Sequence, residues 1–217
     1  MNYSNSLSDS EREKIKNSRV CIAGCGGLGG YIAEYLIRLG VGQIVAVDGD
    51  CFDASNLNRQ VLCTAETIGH SKAFEVKNRA ALINPDVQVT AVNEFITAEN
   101  AEQIIAGSDL VIDAFDSFES RQIMHRACSK LGINMLFGAI GAWKVQVGLL
   151  TPDSTVLSDV PVPPEYHGDS VLSFVPAMCA AIQVSEAVKL LSGSKSELEG
   201  KLLDIDLLTN EILQIEL

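Results

Sequence analysis

The chain has 217 residues, 47% of them hydrophobic, which is enough for one substantial core within the size range of a single domain. Only 20% of residues are charged, and 17 Gly stand beside 6 Pro, a balance that excludes a linker-dominated or disordered chain. The formal net charge of -12 gives no electrostatic footprint for nucleic acid or an anionic membrane.

Residues 1–17 are polar and acid-containing, with no basic head followed by an apolar stretch, so they read as a short helix or arm outside the sheet rather than a signal peptide. No apolar run reads as long enough to span a bilayer, and a cytoplasmic protein is expected. From residue 20, apolar β-like runs alternate with helical segments: "VCIAG", 27–39, "QIVAVD", 71–83, "VQVTAV", 98–106, "DLVIDA", 118–131 and "NMLFGAI". This alternation predicts an α/β fold with a parallel, doubly wound sheet.

The pattern changes at "KVQVGLLTP", which follows "NMLFGAIGA" across a short Gly-containing turn and predicts an antiparallel addition to the sheet. Residues 151–172 hold Pro152, Pro161, Pro163 and Pro164 and lack a helical period, so a long crossing loop is expected there. A last helix is predicted near 177–192. Two apolar runs around Thr209 and Asn210 then predict a terminal hairpin, closing one domain over 18–217.

In "VCIAGCGGLGG" the glycines Gly24, Gly26, Gly27 and Gly29 fall between a predicted strand and a predicted helix. Gly24 suits a tight turn, Gly26 lets a phosphate approach the backbone, and Gly29 lets helix and strand pack closely. The free amides of the helix start then face an anion. Asp48, 24 residues after Gly24, stands near the offset expected for an acid that binds ribose hydroxyls, with Asp50 beside it.

A dinucleotide and ATP could both use these features. "DASNLNRQVL" favours ATP, because Arg59 and Lys72 add cations beyond the helix amides and Asn56 adds a neutral donor, which suits a triphosphate. In "DLVIDAFDSFESR", Asp113 and Asp116 end the fourth strand. Asp116 reads equally as a Mg²⁺ ligand or as the cap of the following helix.

"GCGGLGG", "VDGDCFDASNLNRQ", "GHSK" and "DAFDSFESR" together resemble the ThiF/MoeB/HesA family, bacterial relatives of ubiquitin-activating enzymes, from about Ser18 to Leu191. The resemblance implies a modified Rossmann sheet and ATP-dependent adenylation of the C-terminal Gly-Gly carboxylate of a ubiquitin-like carrier protein, with release of pyrophosphate. It implies that Asp48 binds ribose, that Asn56, Arg59 and Lys72 hold the triphosphate, and that Asp116 holds Mg²⁺. It also implies a homodimer. The carrier tail is expected to pass the crossing loop, with "PVPPEYHGDS" forming its wall.

Such an attacking carboxylate is already ionised at neutral pH and needs no general base, so His70, His125 and His167 are left without a catalytic role. Two departures stand out. Many family members carry two CxxC pairs that bind structural zinc; this chain has none, and no zinc is expected. The crossing loop lacks the cysteine that sulfur-transferring members use, while Cys179 sits in an apolar helical pattern and reads as a core residue.

The "RYxRQ" arm that often supplies a further arginine is also not found, and Arg12 reads as a helix-surface residue. Three other readings use the same features. One is a relative that activates the carboxylate of threonylcarbamoyl-modified tRNA, to which "NEFITAEN" and "DAFDS" are somewhat similar. The others are a nicotinamide-dependent oxidoreductase, which leaves Arg59 and Lys72 unexplained, and a carrier-binding scaffold without catalysis.

Overall fold

A computed structural model describes residues 6–154 and 171–216. Most of the predicted crossing loop, including the expected wall at 161–170, lies outside the described residues.

Eight strands form one sheet in the order β3-β2-β1-β4-β5-β6-β7-β8. The first five, β1 (Arg19–Ala23), β2 (Gln43–Val47), β3 (Gln88–Val92), β4 (Leu110–Asp113) and β5 (Met135–Gly141), pair in parallel. The chain then turns back through β6 (Lys144–Leu150), β7 (Lys201–Asp206) and β8 (Glu211–Glu216), all antiparallel. The sheet is thus mostly parallel with antiparallel C-terminal strands, as the sequence predicts.

Alternation along the central strands divides the core. Val20, Ile22, Ile44, Ala46, Leu110 and Ile112 face one apolar cluster, while Cys21, Ala23, Val45, Val47 and Val111 face the other. Strands buried on both faces need helices on both faces. The helices α1 (Asp9–Asn17), α2 (Gly27–Leu39), α3 (Lys72–Ile83) and α6 (Phe174–Ser192) pack together on one side, and α4 (Ala101–Ile105) and α5 (Phe118–Leu131) pack together on the other.

Sequence expectation and structure differ at three places. The helix predicted over 98–106 is only Ala101–Ile105, because Asn100 Oδ1 accepts the Thr97 amide at 2.8 Å and holds the preceding residues in a turn. Helix α6 starts at Phe174, three residues before its predicted start. Pro176 falls in its first turn, where the missing N–H costs no intrahelical bond. Helix α6 is also long and apolar enough by length and composition to cross a bilayer, which corrects the sequence reading that no such run exists. Val175, Cys179, Ala180, Val184 and Ala187 bury that apolar face against the sheet and α2.

Candidate functional site

A cavity of about 420 Å³ opens at the C-terminal ends of the parallel strands, the edge where such sheets bind ligands. Gly24, Gly26, Asp48, Arg59, Lys72 and Asp116 all line it, although they follow three different strands, β1, β2 and β4.

The glycine turn is built by close approach. Gly24 has φ +100°, and a Cβ there would lie 2.7 Å from the Ala114 carbonyl oxygen. A Cβ on Gly29 would lie 1.8 Å from the Gly24 carbonyl oxygen, so α2 can pack on β1 only with glycine at that position. Gly26 caps α2 without any side-chain hydrogen bond. The first amides of α2, starting at Gly27, therefore remain available beside the cavity.

Asp48 ties this turn to β2. Its Oδ2 accepts the Cys25 amide and its Oδ1 accepts the Asp50 amide, each at 2.8 Å. Burial raises its carboxyl pKa above the usual value, and the two amides oppose that rise. Asp50 pairs with Lys72, whose buried Nζ lies 3.2 Å from Asp50 Oδ2. The ammonium is thereby aimed along the cavity wall by a carboxylate that remains half exposed.

The segment after β2 folds around its own side chains. Asp53 caps the short helical turn Ala54–Asn56: Asp53 Oδ1 accepts the Ser55 amide at 2.9 Å, and Asn56 Oδ1 accepts the Asp53 amide at 3.1 Å. Asn56 is buried in this capping box and is not among the residues lining the cavity; it shapes the turn that presents Arg59. Arg59 Nη1 donates to Ser55 O and Asn58 Oδ1, both at 2.9 Å. Its other terminal nitrogen makes no hydrogen bond among the described residues.

Gln60 is a cavity residue to which the sequence reading assigns no role. It is buried, its amide lies against Gly26, and its Oε1 has no hydrogen-bond partner among the described residues. Adjacency to Arg59 was the available signal.

On the opposite wall, Asp116 is exposed and makes no hydrogen bond among the described residues. The cap of α5 is Ser117, whose Oγ accepts the Ser120 amide at 3.3 Å. Asp116 thus offers a free carboxylate to the cavity. No group of three or more His, Cys, Asp or Glu that could hold a metal occurs among the described residues. One carboxylate together with phosphate oxygens and water is a donor set that fits Mg²⁺.

Asp113 is fully buried and does not serve as a free ligand. Arg121 Nε donates to its Oδ2 at 2.5 Å, and the Phe115 amide donates to its Oδ1 at 3.0 Å. Burial raises its pKa, opposed by Arg121 and by the Phe115 and Gly138 backbone.

His70, His125 and Cys179 are not among the residues that line the cavity. His70 pairs with Glu75 at 3.0 Å, and His125 is buried, with its pKa lowered by that burial. Cys179 is fully buried, and burial pushes its thiol pKa up, away from nucleophilic character.

The chain as a whole is similar to several known proteins. Over 200 residues the chain is 36% identical to the SAMP-activating enzyme E1 of Haloferax volcanii, covering 89% of this chain and 74% of that protein. Over 210 residues it is 36% identical to the sulfur carrier protein adenylyltransferase of Thermus thermophilus, covering 91% and 78%. The crystal structure of E. coli MccB with ATP superimposes with a TM-score of 0.84 at 20% identity, a likeness of fold. That alignment covers 95% of this chain and just under two thirds, 66%, of the solved one. The family model described as "ThiF family" matches residues 2–217. The chain belongs to the ThiF family.

Proposed function

We propose that this protein is an adenylyltransferase that uses ATP to activate the C-terminal carboxylate of a ubiquitin-like sulfur-carrier protein. The observation that carries the reading is the convergence of Arg59, Lys72, the α2 amides and Asp116 on one cavity, within a family whose similar members include a sulfur carrier protein adenylyltransferase. A nicotinamide-dependent oxidoreductase would leave both cations and Asp116 without a task.

In this reading the glycine turn and the start of α2 receive the phosphates, and Asp48 faces the ribose. Arg59 and Lys72 neutralise charge on the triphosphate. Asp116 would hold Mg²⁺, which supplies electrostatic stabilisation of the phosphate oxygens when bound. A carrier carboxylate oxygen forms a bond to the α-phosphorus as the bond from that phosphorus to the bridging oxygen of the β-phosphate breaks. The electron pair leaves with pyrophosphate. No proton has to move, so the step asks for no histidine, and none is among the described residues that line the cavity.

The six free cysteines fit a reducing compartment such as the cytoplasm. A homodimer belongs to the same reading, and sedimentation velocity measures it directly.

The experiment is intact-mass analysis of single Gly-Gly-terminated carrier proteins incubated with this protein, ATP and Mg²⁺, with pyrophosphate release followed in parallel. An AMP adduct on a carrier is expected. Arg59→Ala should lower its formation by about a hundredfold or more while keeping the fold. ATP binding without any adduct across the carriers would sink the adenylyltransferase reading.

A further inference from the structure

We infer that Arg121 is a positioning residue that sets the direction of Asp116 by clamping the loop that joins β4 to α5. The inference rests on the functional reading above and concerns a side chain that the reading leaves unused. Arg121 is buried, yet it lines the cavity.

Its guanidinium gathers three acceptors, one from the end of β4, one from the loop that follows it and one from β5. Nε donates to Asp113 Oδ2 at 2.5 Å, and Nη2 donates to Phe115 O at 2.8 Å and to Gly138 O at 3.0 Å. The guanidinium carbon lies 4.7 Å from the centre of the Phe137 ring, so the plane is also held from below. Asp113 ends β4, Gly138 belongs to β5, and Phe115 immediately precedes Asp116.

A burial requirement alone does not explain this geometry. One carboxylate partner neutralises the charge, whereas the second and third bonds bind the Phe115 carbonyl to the neighbouring strand. The same loop is held from the other side, because the Ala114 amide donates to Ala23 O at 2.9 Å and a Cβ on Gly24 would meet Ala114 O. Asp116 itself makes no hydrogen bond among the described residues, so its direction comes from the backbone that carries it. A planar fork can satisfy Asp113, Phe115 and Gly138 together; a lysine ammonium can keep the charge but cannot reproduce the fork.

The test is calorimetric binding of ATP to the intact protein, once in excess Mg²⁺ and once in EDTA, so that the affinity gain due to metal is read without turnover. Arg121→Lys should reduce that gain about tenfold, as expected when a group supporting a metal ligand is lost. ATP affinity in EDTA should change much less. With Asp116→Asn already present, Arg121→Lys should cause no further loss of the metal gain, because the two act through one group. Asp113→Asn leaves the bonds to Phe115 and Gly138 in place and should keep most of the gain.

An unchanged metal gain in Arg121→Lys, or an equal loss in the Asp116→Asn background, overturns the positioning role. Should Arg121→Lys fail to melt cooperatively, Phe137→Leu carries the same measurement. It removes the ring beneath the guanidinium, and an unchanged gain there overturns the role as well. Wild-type protein that binds no ATP would refute the functional reading itself, and the inference with it, a result distinct from normal binding with an unaltered metal gain.

Discussion

Two adjacent residues, Asp116 and Ser117, divide tasks that the sequence leaves superimposed. Either could cap α5 by composition, and the hydrogen bond from the Ser120 amide goes to Ser117 Oγ. Asp116, set one position earlier, is released to the cavity. Ser117→Ala should therefore lower stability by about 1 kcal/mol in denaturant melts, with little effect on metal-dependent ATP binding. Asp116→Ala should do the reverse. A melting loss in Asp116→Ala, with Mg²⁺ dependence intact, would return the capping role to Asp116. Asn56 carries the same lesson in the other direction. Its Oδ1 accepts the Asp53 amide and so builds the turn, while Nδ2, the group able to donate to a phosphate, meets only Ser55 Oγ at 3.5 Å. Composition identifies which groups could bind a ligand, and local hydrogen bonding shows which of them also build the turn.

At the scale of elements, α2 is the piece on which the site depends, because its start faces the cavity and its flank packs on α3 and α6. Glu34 on α2 anchors it to α3. Glu34 accepts from Arg79 at 2.7 and 3.0 Å, and from its own helix's Arg38 at 2.8 and 2.6 Å. Hydrogen bonding from Arg79 first, then from Arg38, lowers the Glu34 carboxyl pKa below its ordinary value of 4.5. A carboxyl lowered in the folded state contributes stability that is present above the unfolded value and is lost as pH falls through the folded one. Glu34→Gln should thus cost about 1 kcal/mol at neutral pH, Arg38 being largely exposed. The gap to wild type should close as the pH falls below the ordinary carboxylate range. A gap independent of pH in urea melts at several pH values would contradict this assignment.

Taken whole, the molecule places its ligand edge where five parallel strands end, and extends the sheet beyond it with β6, β7 and β8. The outermost strand, β8, is exposed along its length and carries Glu211 and Glu216 at its ends, charges that disfavour pairing with a second edge. The cavity draws on residues from Gly24 to Val171, so bound nucleotide should stabilise the entire fold. ATP with Mg²⁺ at about a hundred times its dissociation constant is expected to add about 2.7 kcal/mol, read as a rise in melting temperature. Arg59→Ala should lose most of that rise without lowering the unliganded midpoint. No rise for wild type at saturating ATP would refute nucleotide binding at this edge.

The sequence by itself determined the alternating α/β pattern, the glycine turn, the acids that end β2 and β4, and the family resemblance, since each is a matter of local spacing and residue type. Periodicity reports which side chains must be buried, and glycine reports where backbone must approach backbone. Only the tertiary structure decided which polar groups remain available. Asp113 and Asp116 lie three positions apart, yet one is sealed by Arg121 while the other faces the cavity. Lys72 meets Asp50 across the cavity's edge, and Gln60 closes over Gly26. Arg121 reaches Gly138, 17 residues along the chain, because β4 and β5 lie side by side. A hydrogen bond forms only within about 3 Å. Contacts across strands and turns therefore depend on how the sheet brings distant segments together, which local pattern cannot specify.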